Sequence, residues 1–152
     1  GHWGVSNDRM EKFRHNLITA LKRKKLDPVD IWTREQQKSS NCHWHYAVLM
    51  NGNRVQMPHR AVNEMFAQWS AVIGQDASGL IDFRSRGVNT NGVLLRRDRP
   101  EECRMLFENC FSRMSYLAKV AGKIQGQGRN FGGSRIQQQV AVPEYLQHNI
   151  LF

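Results

Sequence analysis

The chain has 152 residues and a formal charge of +9, from 22 Lys and Arg against 13 Asp and Glu. Hydrophobic residues make up 40% of it, which excludes a disordered basic tail and supplies one domain with a core. No apolar run approaches the roughly 20 residues of a membrane-spanning helix, and no signal-peptide pattern opens the chain. Three cysteines, an odd number, argue against a disulfide framework and for a reducing cytoplasm. A basic domain without a membrane partner is left, and a polyanion is its expected large ligand.

Asp8 with Glu11 three residues later reads as a helix start with a reciprocal cap. Met10, Phe13, Leu17 and Leu21 follow at helical spacing, Lys22 to Lys25 suit the carbonyl end, and Asp27-Pro28 stops the run. The first helix is predicted from about Arg9 to Lys25. Val29 to Glu35 reads as a strand with Val29, Ile31, Thr33 and Glu35 on one face and Asp30, Trp32 and Arg34 on the other. Polar Gln36 to Asn41 leads to a second strand, His43 to Met50, closed by Asn51-Gly52, so the two strands are expected to form an antiparallel hairpin.

Pro58 to Ile73 is predicted helical, with Val62, Met65, Phe66, Trp69, Val72 and Ile73 along one side and Gly74 after it. Two short strands are expected at Leu80 to Arg84 and Val93 to Arg96. A long helix, Pro100 to about Val120, carries the stripe Cys103, Phe107, Cys110, Met114, Leu117 and Ala121. Gly122 to Gly133 reads as loop, and the stretch to Phe152 is weakly patterned. The order α-β-β-α-β-β-α predicts an α+β domain with a mostly antiparallel sheet and packed helices.

His43-Trp44-His45-Tyr46-Ala47-Val48 is the sharpest local feature. Two histidines at i and i+2 on a strand share a face about 6.5–7 Å apart along the strand, so their imidazoles can converge on one divalent cation while Trp44, Tyr46 and Val48 enter the core. Glu35, near the end of the partner strand, can supply a carboxylate. Such a set leaves coordination positions open for water and substrate. The competing reading is a chance histidine pair. A structural zinc site on Cys42, His43 and His45 is set aside, because adjacent strand residues point to opposite faces and no Cys-x-x-Cys pair completes it.

Tyr116, Lys119 and Lys123 form the second feature. At about 100° per residue, Tyr116 lies roughly 200° round the helix from Met114, away from the apolar stripe, on a side shared with Ser112, Lys119 and Lys123. That side is either a solvated face or a nucleophile with cations beside it. A phenol titrates near ~10, so it needs help to attack phosphate at neutral pH. A divalent cation that polarises the phosphate and a nearby ammonium supply that help.

His43-Trp44-His45-Tyr46-Ala47-Val48 resembles the His-hydrophobic-His motif of the HUH endonucleases, the superfamily of rolling-circle replication initiators and relaxases. Tyr116-Leu117-Ala118-Lys119 resembles their Tyr-x-x-Lys motif in the same chain order. Trp32-Thr33-Arg34-Glu35-Gln36, Ser115 to Lys119 and Phe131-Gly132-Gly133-Ser134-Arg135 are similar, more narrowly, to the inovirus-type replication proteins of phages and prophages, over about Val29 to Arg135. The resemblance implies a five-stranded antiparallel, RRM-like palm flanked by helices. It implies Mg²⁺ or Mn²⁺ held by His43 and His45, with Glu35 as third ligand, and Tyr116 nicking single-stranded DNA at a replication origin to leave a 5′-phosphotyrosine. Lys119 or Lys123 would neutralise the phosphate, and spacing leaves both open. Host replication proteins are further expected partners, in the cytoplasm of a bacterial cell.

Members of that family have a strand before the first helix, and this chain begins at about that helix. The expected division is therefore a nuclease domain over 1–135 without the leading strand, then a tail over 136–152. Tyr46 faces the core and Tyr145 lies in that tail, so a single-tyrosine scheme is expected. Arg84, Arg86, Arg96 and Arg97 are candidate phosphate contacts, although Asp82 and Asp98 can neutralise some of them. Ser134 and Arg135, after two glycines, suggest a phosphate cradle. Two other functions suit the same residues: a non-catalytic single-stranded nucleic-acid-binding domain, or a metal-dependent phosphoesterase that uses water.

Overall fold

The structure, a computed structural model, describes residues 6–36, 42–83, 92–117, 128–135 and 150–151. In chain order the elements are α1 (Asp8–Arg23), β1 (Val29–Glu35), β2 (His43–Asn51), α2 (His59–Ile73), β3 (Leu94–Leu95), α3 (Pro100–Leu117), β4 (Phe131–Gly133) and β5 (Ile150–Leu151). The strands form a sheet in the order β3-β5-β2-β1-β4, and each neighbouring pair is antiparallel. The fold is thus a small α+β fold with an antiparallel sheet, as the sequence predicts.

The hairpin of β1 and β2 is the centre of the sheet. Its register places Ile31 opposite Ala47, Thr33 opposite His45 and Glu35 opposite His43, so the odd-numbered residues of both strands share one face. The even-numbered face is covered. Met10, Phe13, Leu17 and Leu21 of α1 and Ala61 and Met65 of α2 form one buried cluster with Trp32, Val48 and Met50. Edge-on aromatic contacts extend it: Phe13 meets Tyr46 at 5.4 Å and Trp69 at 5.3 Å between ring centroids. Trp32, on the face it shares with Asp30 and Arg34, is a core residue.

A polar group is buried within this layer. The Asp30 side chain is inaccessible and accepts hydrogen bonds from Arg14 Nε at 2.6 Å and Nη2 at 3.0 Å, Tyr46 Oη at 2.9 Å and Ser134 Oγ at 2.5 Å. Partial burial works against the Arg14 charge, but the hydrogen bond and charge of Asp30 outweigh it and raise the guanidinium pKa. Burial first, then the Asp30 charge and hydrogen bond, push the Tyr46 phenol above its ordinary value. One carboxylate therefore ties α1, β1, β2 and the residue after β4 together.

Several expectations are corrected. The reciprocal cap on α1 does not form: Asn7 occupies the cap position, but its side chain donates to the Arg129 carbonyl instead of capping the helix, and Glu11 pairs with Arg14 and Arg129. Leu80 to Phe83, expected to begin a strand, are turn and coil. Asp76 accepts from the Ser78 backbone and hydroxyl, and the Leu80 amide donates to the Ala77 carbonyl, so this segment is already folded as a turn. The expected strand at Val93 to Arg96 shortens to β3. The stretch set apart as a tail contributes β5, which pairs with both β2 and β3.

The predicted stripe of α3 is only partly buried: Cys110 is buried and Cys103 half-buried, while Phe107 and Phe111 are exposed and stack on each other at 6.1 Å. No helix among the described residues is long and apolar enough to cross a membrane.

Candidate metal and nucleic-acid site

The open, odd-numbered face of the hairpin brings His43, His45 and Glu35 to one end of the sheet. Glu35 lies directly across from His43 in register, but its Oε1 reaches diagonally to His45 Nε2 at 2.7 Å. Both side chains are partly exposed and His43 is exposed. Among the described residues, no three His, Cys, Asp or Glu side chains come together as a metal-binding group. Glu35 is hydrogen-bonded to the same ring nitrogen that a metal on Nε2 would occupy.

The donor types are those of a divalent-cation site, the carboxylate and water suiting Mn²⁺ or Mg²⁺ and the imidazoles favouring a first-row ion such as Mn²⁺ over oxygen-seeking Mg²⁺. The set offers two imidazoles and one carboxylate on a single face, with an open side for water and substrate. Cys42 is buried while His43 is exposed, so these adjacent residues do point apart.

The long helix borders the same face of the sheet. Phe107, Phe111, Met114 and Ser115 line an open groove of about 320 Å³ with Ile31 and Leu49. Ile31 lies four residues from Glu35, about 13 Å along the strand. Tyr116 is the penultimate residue of α3, while Lys119 and Lys123 fall outside the described residues.

Across the hairpin, β4 pairs with β1 so that Phe131 sits opposite Thr33 and Gly132 opposite Trp32. A Cβ at position 132 would land on the Trp32 indole, and one at 133 on the Asp30 carbonyl oxygen. The two glycines are therefore explained by the close approach of β4. Phe131 remains 45% exposed, in one row with Thr33 and His45. Strands lie about 4.8 Å apart, which separates the Phe131 and His45 backbones by about 10 Å. In sequence the Phe-Gly-Gly run assigns Phe131 no role, yet period-two alternation through it places Phe131 on the histidine face.

The expected phosphate contacts divide. Ser134 is committed to the fold: its hydroxyl donates to Asp30 Oδ1 and accepts from the Asp30 amide at 3.2 Å. This removes the hydroxyl from the expected cradle, because its one proton serves a buried carboxylate. Arg135 is exposed beside it. Arg96 forms a two-point pair with Asp98, at 3.1 and 2.8 Å, the neutralisation that the sequence suggests. Arg97 is exposed, and Arg84 and Arg86 lie outside the described residues.

The YagK/YfjJ C-terminal domain family matches residues 5–134, most of the chain. No curated protein and no solved structure matches it.

Proposed function

The chain belongs to the YagK/YfjJ C-terminal domain family over residues 5–134, a span that contains the histidine pair and Tyr116, and we propose that these residues serve one reaction. That reaction is metal-dependent nicking of single-stranded DNA by an HUH-type mechanism, at a replication origin of a phage or other mobile element in a bacterial cytoplasm. The observation that carries this reading is the placement of His43, His45 and Glu35 on one open face at one end of the hairpin.

His43, His45 and Glu35 would hold Mg²⁺ or Mn²⁺, with Glu35 giving up its hydrogen bond to His45. With a divalent cation held there, the site would supply Lewis-acid polarisation of the scissile phosphate. Tyr116 forms the new phenolic O–P bond as the P–O3′ bond breaks, and the departing 3′ oxygen takes up a proton and can prime synthesis. Lys119 or Lys123 balances charge on the phosphate oxygens. Phe131, about 10 Å from His45 across β1, offers a nucleobase a face to stack on.

The test is a denaturing gel for a covalent protein–DNA adduct, with a random single-stranded oligonucleotide pool and Mn²⁺, beside Tyr116→Phe and chelator controls. An adduct lost in both controls supports the nickase. Cleavage without an adduct points to the water-using phosphoesterase, and binding without cleavage to a non-catalytic module; either outcome overturns the proposal.

A further inference from the structure

At the other end of the hairpin, about 20 Å along β1 from Glu35, a second group of cations converges. Lys24 and Lys25 follow α1, Arg54 closes the turn after β2, and Arg60 stands in the first turn of α2. With Leu26 and Val55 they line one concavity of about 390 Å³. Lys24 pairs with Glu64 at 2.7 Å. Among the described residues, the side chains of Lys25, Arg54 and Arg60 make no ion pair or hydrogen bond.

Two further features frame this hollow. First, α1 ends in a Schellman arrangement: the Leu26 amide donates to the Leu21 carbonyl and the Lys25 amide to the Lys22 carbonyl. The residue at the turning position is ordinarily glycine. Here it is Lys25 at φ 57°, followed by Asp27 at φ 49°, and a side chain held in left-handed backbone is a cost that clusters at functional positions.

Second, α2 begins with His59 and Arg60, has no acidic residue in its first turn and has no side-chain cap. The positive end of its dipole adds to the cationic hollow instead of being offset. Asn51 locks the two turns together, donating from its amide to the Leu26 carbonyl at 2.9 Å and from Nδ2 to Asp27 at 3.1 Å.

We propose that this hollow is a second anion site, separate from the histidine end, which takes phosphodiester groups of a nucleic acid. Guanidinium forks match phosphate oxygens, and a chain of charge +9 brings the polyanion near. The proposal stands whether or not the domain cuts DNA.

The experiment measures binding in chelator, so that nothing is cut, to a labelled single strand and to a duplex of about 20 base pairs across a salt series. Loss of two phosphate contacts in Arg54→Ala/Arg60→Ala lowers the slope of log affinity against log salt by about 1.4 on a single strand or about 1.8 on a duplex. The arm that shows the change identifies the form bound.

Lys25→Gly separates binding from folding. It relieves the left-handed lysine, so Tm rises by a few degrees, while affinity falls several-fold. A lysine with no ligand role would give the rise in Tm alone. Unchanged slopes in the double variant on both DNAs, or full affinity in Lys25→Gly, would overturn the proposal. Thermal protection by inorganic phosphate that only the double variant loses, with DNA slopes unchanged, would overturn the assignment to nucleic acid.

Discussion

Asp30→Ala tests the buried polar group that joins four parts of the chain. The Asp30 side chain is fully buried and that of Arg14 is 22% exposed. Removing one partner of a buried ion pair costs about 3–5 kcal/mol, and Arg14 keeps some access to water and a longer contact to Glu11 at 3.6 Å, which favours the lower end. Tyr46 and Ser134 also lose their acceptor, at about 1–3 kcal/mol for a buried group left unsatisfied. These losses overlap, because all three donors address one carboxylate, so the expected total is about 3–4 kcal/mol. A domain of this size has about 5–15 kcal/mol in all, and each kcal/mol lowers Tm by about 2–4 °C; the variant should melt roughly 10 °C lower. Urea and thermal unfolding at neutral pH measure this. A combined Asp30→Leu, Arg14→Met and Tyr46→Phe variant should recover part of the loss, because no buried polar group is then stranded. A loss below about 1 kcal/mol for Asp30→Ala would refute the reasoning.

Gly132→Ala should destabilise by about 1–3 kcal/mol through overpacking, since its Cβ meets the buried Trp32 ring; urea unfolding reads this, and an unchanged midpoint would contradict the close packing of β4. Tyr46 has a raised folded pKa, so its stabilisation is intact below about pH 10, the unfolded value, and falls by up to about 1.4 kcal/mol per pH unit above it. Tyr46→Phe should be less stable at neutral pH but flatter with pH in alkali, and equal slopes would contradict the burial of the phenol. His43→Ala should weaken Mn²⁺ binding, read by calorimetry, together with nicking, while leaving Tm within a degree or two because the side chain is exposed. Unaltered Mn²⁺ affinity would count against His43 as a ligand.

The hairpin was legible because its signals agree: alternation fixes the faces, and the register then carries Glu35 to the histidine side. The paired burial of Asp30 was not legible. Its partners Arg14, Tyr46 and Ser134 are scattered in sequence, and a lone Asp in a strand gives no sign of a waiting guanidinium. Ser134 looked like a ligand for the same reason, since a hydroxyl after two glycines suits a phosphate or a carboxylate equally well. Lys25 gave no signal at all, because the pattern that announces a left-handed helix end is a glycine. At α3 the period was right but burial did not follow, as helical spacing says which residues share a side and not whether another element covers them.

The position of β5 has a consequence for how the chain is made. Met50 pairs with Leu151, so this contact spans roughly two-thirds of the 152 residues. On a ribosome the hairpin and the first two helices emerge early, but the β2 edge that receives β5 stays without this partner until about 100 further residues have been made. Contacts of such sequence separation are slow to close, and an unpaired edge in a nascent chain invites association with neighbours. Sheet completion therefore waits on a segment far along the chain, and a polypeptide cut short before β5 would carry the histidine hairpin with one edge still open.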